Sequence, residues 1–205
     1  MTKTYDTANL DSNPKMLMYG VGFNSGGRYS TREGGKYTIA CQTWRDMFRR
    51  CYCAKTQARQ PTYKDCSIAD DWHDFQVFAE WHETHDYSAL GYDLDKDLLF
   101  KGNKKYSKET CCFVPRALNS LLTNRKAARG DLPQGVCFHK GTGRFTASIR
   151  INGKRKHLGL FDCPNEVYKS YKAAKEAYVR VSAIEWKGLI DEKVFNALIV
   201  WKLSE

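Results

Sequence analysis

The chain has no apolar run that approaches membrane-spanning length, and residues 1–12 lack the apolar core of a signal peptide. We therefore expect an intracellular protein with no membrane partner, its eight cysteines mostly reduced thiols. Proline is scarce, five in 205 residues, while aromatics reach 13%, a balance that argues against disorder. Zinc-knuckle spacing is also missing. Cys51 and Cys53 stand one residue apart, and no fourth ligand is obvious beside Cys66, Cys111 and Cys112, so no zinc is expected. His82 and His85 read as solvated residues at an ordinary helix end. Acidic residues are the minority, 23 against 33 Lys and Arg, leaving a net charge of +10. That excess favours a polyanionic partner, because Lys and Arg replace the counterions condensed on phosphates.

Residues 1–15 read as a loose polar lead-in. Residues 16–23 are apolar enough for a strand or a core-packing segment, and Gly26-Gly27 and Gly34-Gly35 break the chain after it. From Thr43 the period becomes helical, with Trp44, Met47, Phe48 and Cys51 on one face and Arg45, Arg49 and Arg50 elsewhere. Thr43 is the expected N-cap, with Asp46 in the reciprocal position of a capping box. Residues 53–63 read as a polar loop. A second helix is expected after Asp70-Asp71, burying Trp72, Phe75, Phe78, Ala79 and Trp81.

Residues 94–119 pack several signals into a short span. An alternating run at 94–99 reads as a strand, Gly102-Asn103 as a turn, 111–114 as a second strand, and Pro115 as the opening of a helix reaching Leu122. Such a unit could hold Asp95 and Asn119 close together. The segment resembles the ββα-metal motif of HNH endonucleases, in particular the homing-type enzymes of phages and mobile introns. The resemblance rests on Leu94-Asp95-Lys96-Asp97, Gly102-Asn103, Tyr106-Ser107-Lys108-Glu109-Thr110-Cys111-Cys112-Phe113 and Asn119. Ahead of it, Trp44, Met47, Arg50-Cys51-Tyr52, Tyr63, Cys66, Ile68, Trp72 and Phe75 are similar to the same group. The resemblance implies Asp95 and Asn119 as ligands of Mg²⁺ or Mn²⁺, and Asp95, Lys96 and Asn119 as the catalytic positions. Two residues depart from it: Lys96 stands where the general-base His belongs, and Thr110 where an Asn braces the loop. A lysine between two carboxylates keeps its proton, which suits a phosphate contact better than a base. Glu109 or a metal-bound hydroxide would then serve as base.

Residues 123–133 have no apolar period and read as a basic linker. Beyond them the period is two. Residues 135–139 form one strand and 144–151 a second, with Phe145, Ala147, Ile149 and Ile151 on one face and Arg144, Thr146, Ser148 and Arg150 on the other. Asn152-Gly153 is a hairpin turn into a third strand at 154–160, and 164–184 is a long amphipathic helix carrying Val167, Tyr171, Ala174, Tyr178 and Val181. A last helix is expected within 186–201.

Gly135-Val136, Arg144-Phe145, Ala147, Ile149-Arg150, Arg155, Leu158-Gly159 and Phe161 resemble the DNA-binding domain of plant ethylene-response (APETALA-type) factors. That domain lays its sheet in the major groove. The resemblance and the basic residues around it imply DNA contacts from Gln134, His139, Lys140, Arg144, Ser148, Arg150, Lys154, Arg155 and His157.

The expected fold is α+β: a small ββα core with flanking helices over 1–122, the linker at 123–133, and a three-stranded antiparallel sheet on one long helix over 134–205. Two functions stay open. One is a divalent-metal-dependent endonuclease of homing type; the other is a weak or inactive nuclease relative that binds or regulates DNA. Either acts on double-stranded DNA as a monomer, and the phage resemblance implies the cytoplasm of an infected bacterial host.

Overall fold

The structure is a computed structural model that describes residues 17–123 and 132–203. The fold is α+β, and the chain divides into two compact units, Met1–Pro115 and Arg116–Glu205. The basic linker expected at 123–133 and the polar lead-in at 1–15 fall almost wholly outside the described residues.

The first unit opens with a tight turn in which Met18 and Gly22 exchange backbone bonds and Met18 is buried. A two-stranded ribbon follows, β1 (Arg32–Glu33) and β2 (Lys36–Tyr37), closed by Gly34-Gly35. Helix α1 (Ile39–Tyr52) then buries Cys41, Trp44, Met47, Phe48 and Cys51, the face its period foretells. Its start is earlier than Thr43, because the Thr38 hydroxyl accepts the Cys41 N–H at 3.2 Å and so caps the helix. Residues 53–63 are not a loop. They form α2 (Ala54–Arg59) and a 3₁₀ turn (Pro61–Tyr63) with no buried residue, so the apolar period that marks a packed helix is missing.

Strand β3 (Ser67–Ile68) and a 3₁₀ turn (Asp70–His73) lead into α3 (Phe75–Glu83), which Asp74 caps by accepting the Gln76 N–H. Next come β4 (Asp93–Asp95), β5 (Lys105–Tyr106) and β6 (Cys112–Val114). Strands β4 and β6 pair antiparallel, Leu94 opposite Phe113, while β3 and β5 pair parallel. The core is aromatic: Trp44, Phe48, Trp72, Phe75, Phe78 and Tyr106 are all enclosed. The Trp44 Nε1–H donates to the Trp72 carbonyl at 2.8 Å, which satisfies a buried donor and ties α1 to the 3₁₀ turn.

The second unit begins with α4 (Arg116–Leu122), which packs on α5. Strands β7 (Val136–His139), β8 (Arg144–Ile151) and β9 (Lys154–Phe161) form an antiparallel sheet in sequence order. Helix α5 (Pro164–Glu185), with Pro164 in its first turn, lies across all three strands. Val136, Ala147 and Ile149 of the sheet meet Val167 and Tyr171 of α5, and Leu203 closes that core. Val181 is exposed instead of buried; Val179, Ser182 and Ala183 turn inward in its place. Helix α6 (Glu192–Ile199) packs on α5 through Val194 and Leu198. Gly135, at φ 80°, must be glycine, because a Cβ there would overlap the Tyr171 ring.

Candidate nucleic-acid interface

The sheet of the second unit buries one face and leaves the other open. Register fixes which residues share the open face, since direct partners across an antiparallel pair point the same way. Arg150 stands opposite Arg155, Ser148 opposite His157, Thr146 opposite Leu160, and His139 opposite Arg144. A β-bulge falls in this ladder: Ala147 pairs with Gly159 and Ser148 with His157, so Leu158 is the extra residue on β9. The bulge turns both Leu158 and Phe161 toward the helix, and Gly159 takes φ 130° to make it.

Six of the expected contact residues, His139, Arg144, Ser148, Arg150, Arg155 and His157, are thereby gathered on one face. Three are not. Gln134 lies in the turn before β7, half-buried, with its Oε1 enclosed. Lys140 is exposed in the β7–β8 turn. Lys154 pairs with Ile151 and so has the parity of the helix side, as does Lys156 opposite Ile149.

The open face is internally bonded. Arg155 Nε donates to Ser148 Oγ at 2.9 Å, which aims the guanidinium along the sheet. The Thr146 hydroxyl donates to the Gly159 carbonyl at 3.1 Å and lies 3.2 Å from His157 Nδ1. Arg144 Nε and Nη2 donate to Asp162 at 2.7 and 3.2 Å. Planar forks held in this way suit phosphate oxygens and the acceptor edges of bases. Asp162, Thr146 and Leu160 were not among the expected residues. Simple alternation along β9 fails at the bulge, and Gly159 inside the strand is the one local sign of it.

The first unit holds the other candidate residues. Asp95 ends β4, and its Oδ1 accepts the N–H groups of Asp97 at 2.9 Å and Leu98 at 2.7 Å, a side-chain cap that stops the strand four residues short of Leu99. Burial pushes the Asp95 carboxyl up, and the charge of Asp97 adds to it against the two N–H groups. Lys96 is enclosed. Its Nζ pairs with Asp97 Oδ2 at 3.2 Å and sits over the Tyr106 ring, so its charge is spent inside the unit. The loop that an Asn was expected to brace is held by Asn103, whose Nδ2 donates to the Lys96 and Lys105 carbonyls at 2.7 and 2.6 Å. Thr110 Oγ1 donates to the same Lys105 carbonyl at 2.8 Å.

Burial pushes the Cys51 and Cys111 thiols up to about 12, so both stay protonated beside Lys96. No group of three or more His, Cys, Asp and Glu that could hold a metal occurs among the described residues. Mg²⁺ is commonly held by one or two carboxylates completed by phosphate oxygens; of the two carboxylates here, Asp97 Oδ2 is paired with Lys96 Nζ and Asp95 Oδ1 accepts two N–H groups. Asn119 lies on α4 of the second unit. His82 is not solvated; burial, with His85 beside it, lowers it to about 4, and its Nε2 is enclosed without a hydrogen-bond partner.

No family model and no solved structure matches the chain. Among curated proteins it is similar to an AP2-like ethylene-responsive transcription factor of Arabidopsis thaliana, 27% identical over 94 residues. The similarity covers 41% of this chain and 22% of that protein's length. No helix among the described residues is long and apolar enough to cross a membrane. The partial likeness to a plant transcription factor and an arginine-bearing open sheet face are thus two separate findings, one of sequence and one of register.

Proposed function

We propose that this chain binds duplex DNA through the open face of its β7–β8–β9 sheet. One observation carries the reading: Arg150 and Arg155 are direct cross-strand partners on an exposed face. Like charges placed opposite each other repel and destabilise a hairpin, so an unrelieved pair has a cost that a polyanion removes. The partial similarity to an AP2-like transcription factor supports the same reading. Duplex binding measured by fluorescence anisotropy should weaken steeply with salt, as several phosphates are neutralised. A chain that leaves labelled duplex free at low salt refutes it.

A second reading, divalent-metal-dependent cleavage of DNA, is favoured by the crowding of Asp95 and Asp97, since a cation relieves repulsion between carboxylates. Asp95 would hold Mg²⁺ or Mn²⁺, with phosphate oxygens completing the shell. The metal would stabilise charge on the reacting phosphate and the leaving oxygen. Lys96 is not the base in this scheme, because its Nζ is enclosed and paired with Asp97 Oδ2 at 3.2 Å. Glu109, kept below the usual carboxylate range by its bond to Ser107, would be the weak general base of this scheme. Nicking of supercoiled plasmid with Mg²⁺ or Mn²⁺ that disappears in Asp95→Ala is the expected result. Plasmid left intact by the wild type leaves DNA binding alone.

A further inference from the structure

Asp162 stands one step beyond the end of β9, where the β8–β9 register places it opposite Arg144 on the open face. Two bonds join them, Nε to Oδ1 at 2.7 Å and Nη2 to Oδ2 at 3.2 Å. Both side chains are solvated, Asp162 at 83% exposure. An ion pair this exposed adds little to folding, so stability gives no reason for it. It does fix a direction. The Nε edge of the guanidinium is occupied, and the donors left over, Nη1 and the outer side of Nη2, form the end-on fork that matches the two acceptors of a guanine edge. The carboxylate also cancels the charge of Arg144. The face thus has one end near zero charge, at Arg144–Asp162, and one cationic end, at Arg150 and Arg155 beside the hairpin turn.

We propose that Asp162 is a positioning residue that commits Arg144 to reading a base edge and keeps it from serving as a phosphate clamp. The inference rests on the DNA-binding reading and deepens it: affinity comes from the Arg150–Arg155 end, and part of the sequence preference from the Arg144–Asp162 end.

The test uses the full chain and a preferred duplex that the wild type selects from a randomised pool. Binding to this duplex and to a scrambled one is followed by anisotropy across a salt series for wild type, Asp162→Ala and Asp162→Glu. For Asp162→Ala, the ratio of the two affinities should fall by about 5- to 50-fold. Scrambled-duplex affinity should rise, and the salt dependence should steepen by about one phosphate as Arg144 is freed. Asp162→Glu should recover part of the ratio, and thermal unfolding should show all three chains folded. Asp162→Ala with the wild-type ratio and salt slope overturns the proposal, as does an equal loss of affinity for both duplexes. A wild type that binds duplex without preference overturns it too. A wild type that binds no duplex removes the DNA-binding reading itself, an outcome distinct from the others.

Discussion

The Tyr178 hydroxyl accepts the Asn152 backbone N–H at 3.1 Å and donates to Asn152 Oδ1 at 3.0 Å, so the long helix holds the tip of the β8–β9 hairpin. Asn152 takes φ 47° and Gly153 φ 76°, the left-handed pair that a tight two-residue hairpin needs. Tyr178→Phe removes both bonds and leaves the exposed Asn152 groups to water. We expect a stability loss of about 1 kcal/mol by urea unfolding. Duplex affinity should fall with it, because the turn lies between Arg150 and Arg155. An unchanged affinity would show that the tip needs no anchoring.

Replacing Arg150 and Arg155 together with Ala should weaken duplex binding by roughly 2–6 kcal/mol, if each arginine makes a good contact. Folding should hold or improve slightly, since the substitution removes a repulsive cross-strand pair. A double variant with wild-type affinity and salt slope would rule out this docking face.

His82 makes the first unit acid-sensitive. Its folded value, about 4, lies below the ordinary 6.5, so the unfolded chain takes up the proton first. The stability that His82 contributes is whole above about pH 6.5 and is lost as pH falls toward 4, at most roughly 3 kcal/mol. His82→Phe places a ring of similar size between Phe78 and Phe113 and should flatten stability across that window. The check is denaturant unfolding at several pH values, wild type against variant.

Lys96 and Asp97 should respond unequally to loss of the other. Asp97→Asn leaves an enclosed ammonium with no anion at 3.2 Å, whereas Lys96→Met leaves a carboxylate that is about half exposed (48%) and can hydrate. We expect Asp97→Asn to cost roughly 1–3 kcal/mol and Lys96→Met less. Urea midpoints in the reverse order would mean that the Lys96 ammonium over the Tyr106 ring, and not only its pairing with Asp97, is what the site keeps.

Local signals reached some elements and missed others for physical reasons. The hairpin of β8 and β9 was readable because its causes are local: a period of two from Phe145 to Ile151 and an Asn-Gly turn. The buried face of α1 was readable for the same reason, but its start was not. Ile39 and Ala40 give no apolar period, and only the Thr38 bond to Cys41 marks the end. Val181 fits a seven-residue repeat from Val167, but the helix takes about 3.6 residues per turn and not 3.5, so Val181 falls off the buried stripe while Val179 and Ala183 lie on it.

By itself the sequence determined the order of elements from β7 to α5, the α+β class, most of the apolar faces and the excess of positive charge, since each follows from neighbours a few residues apart. Which charges remain available was decided only by tertiary structure. Arg144 and Asp162 lie eighteen residues apart and meet because the sheet register brings them together. Lys96 spends its charge on Asp97 because Tyr106 and the loop held by Asn103 close around it. Six contact residues share one face, and Lys154 does not, because the two-residue Asn152-Gly153 turn sets Arg155 opposite Arg150 and Lys154 opposite Ile151; the bulge at Leu158 then lets Leu160 and Asp162 join that face. Pairing and burial depend on distance through space, and the order of residues along the chain does not contain that distance.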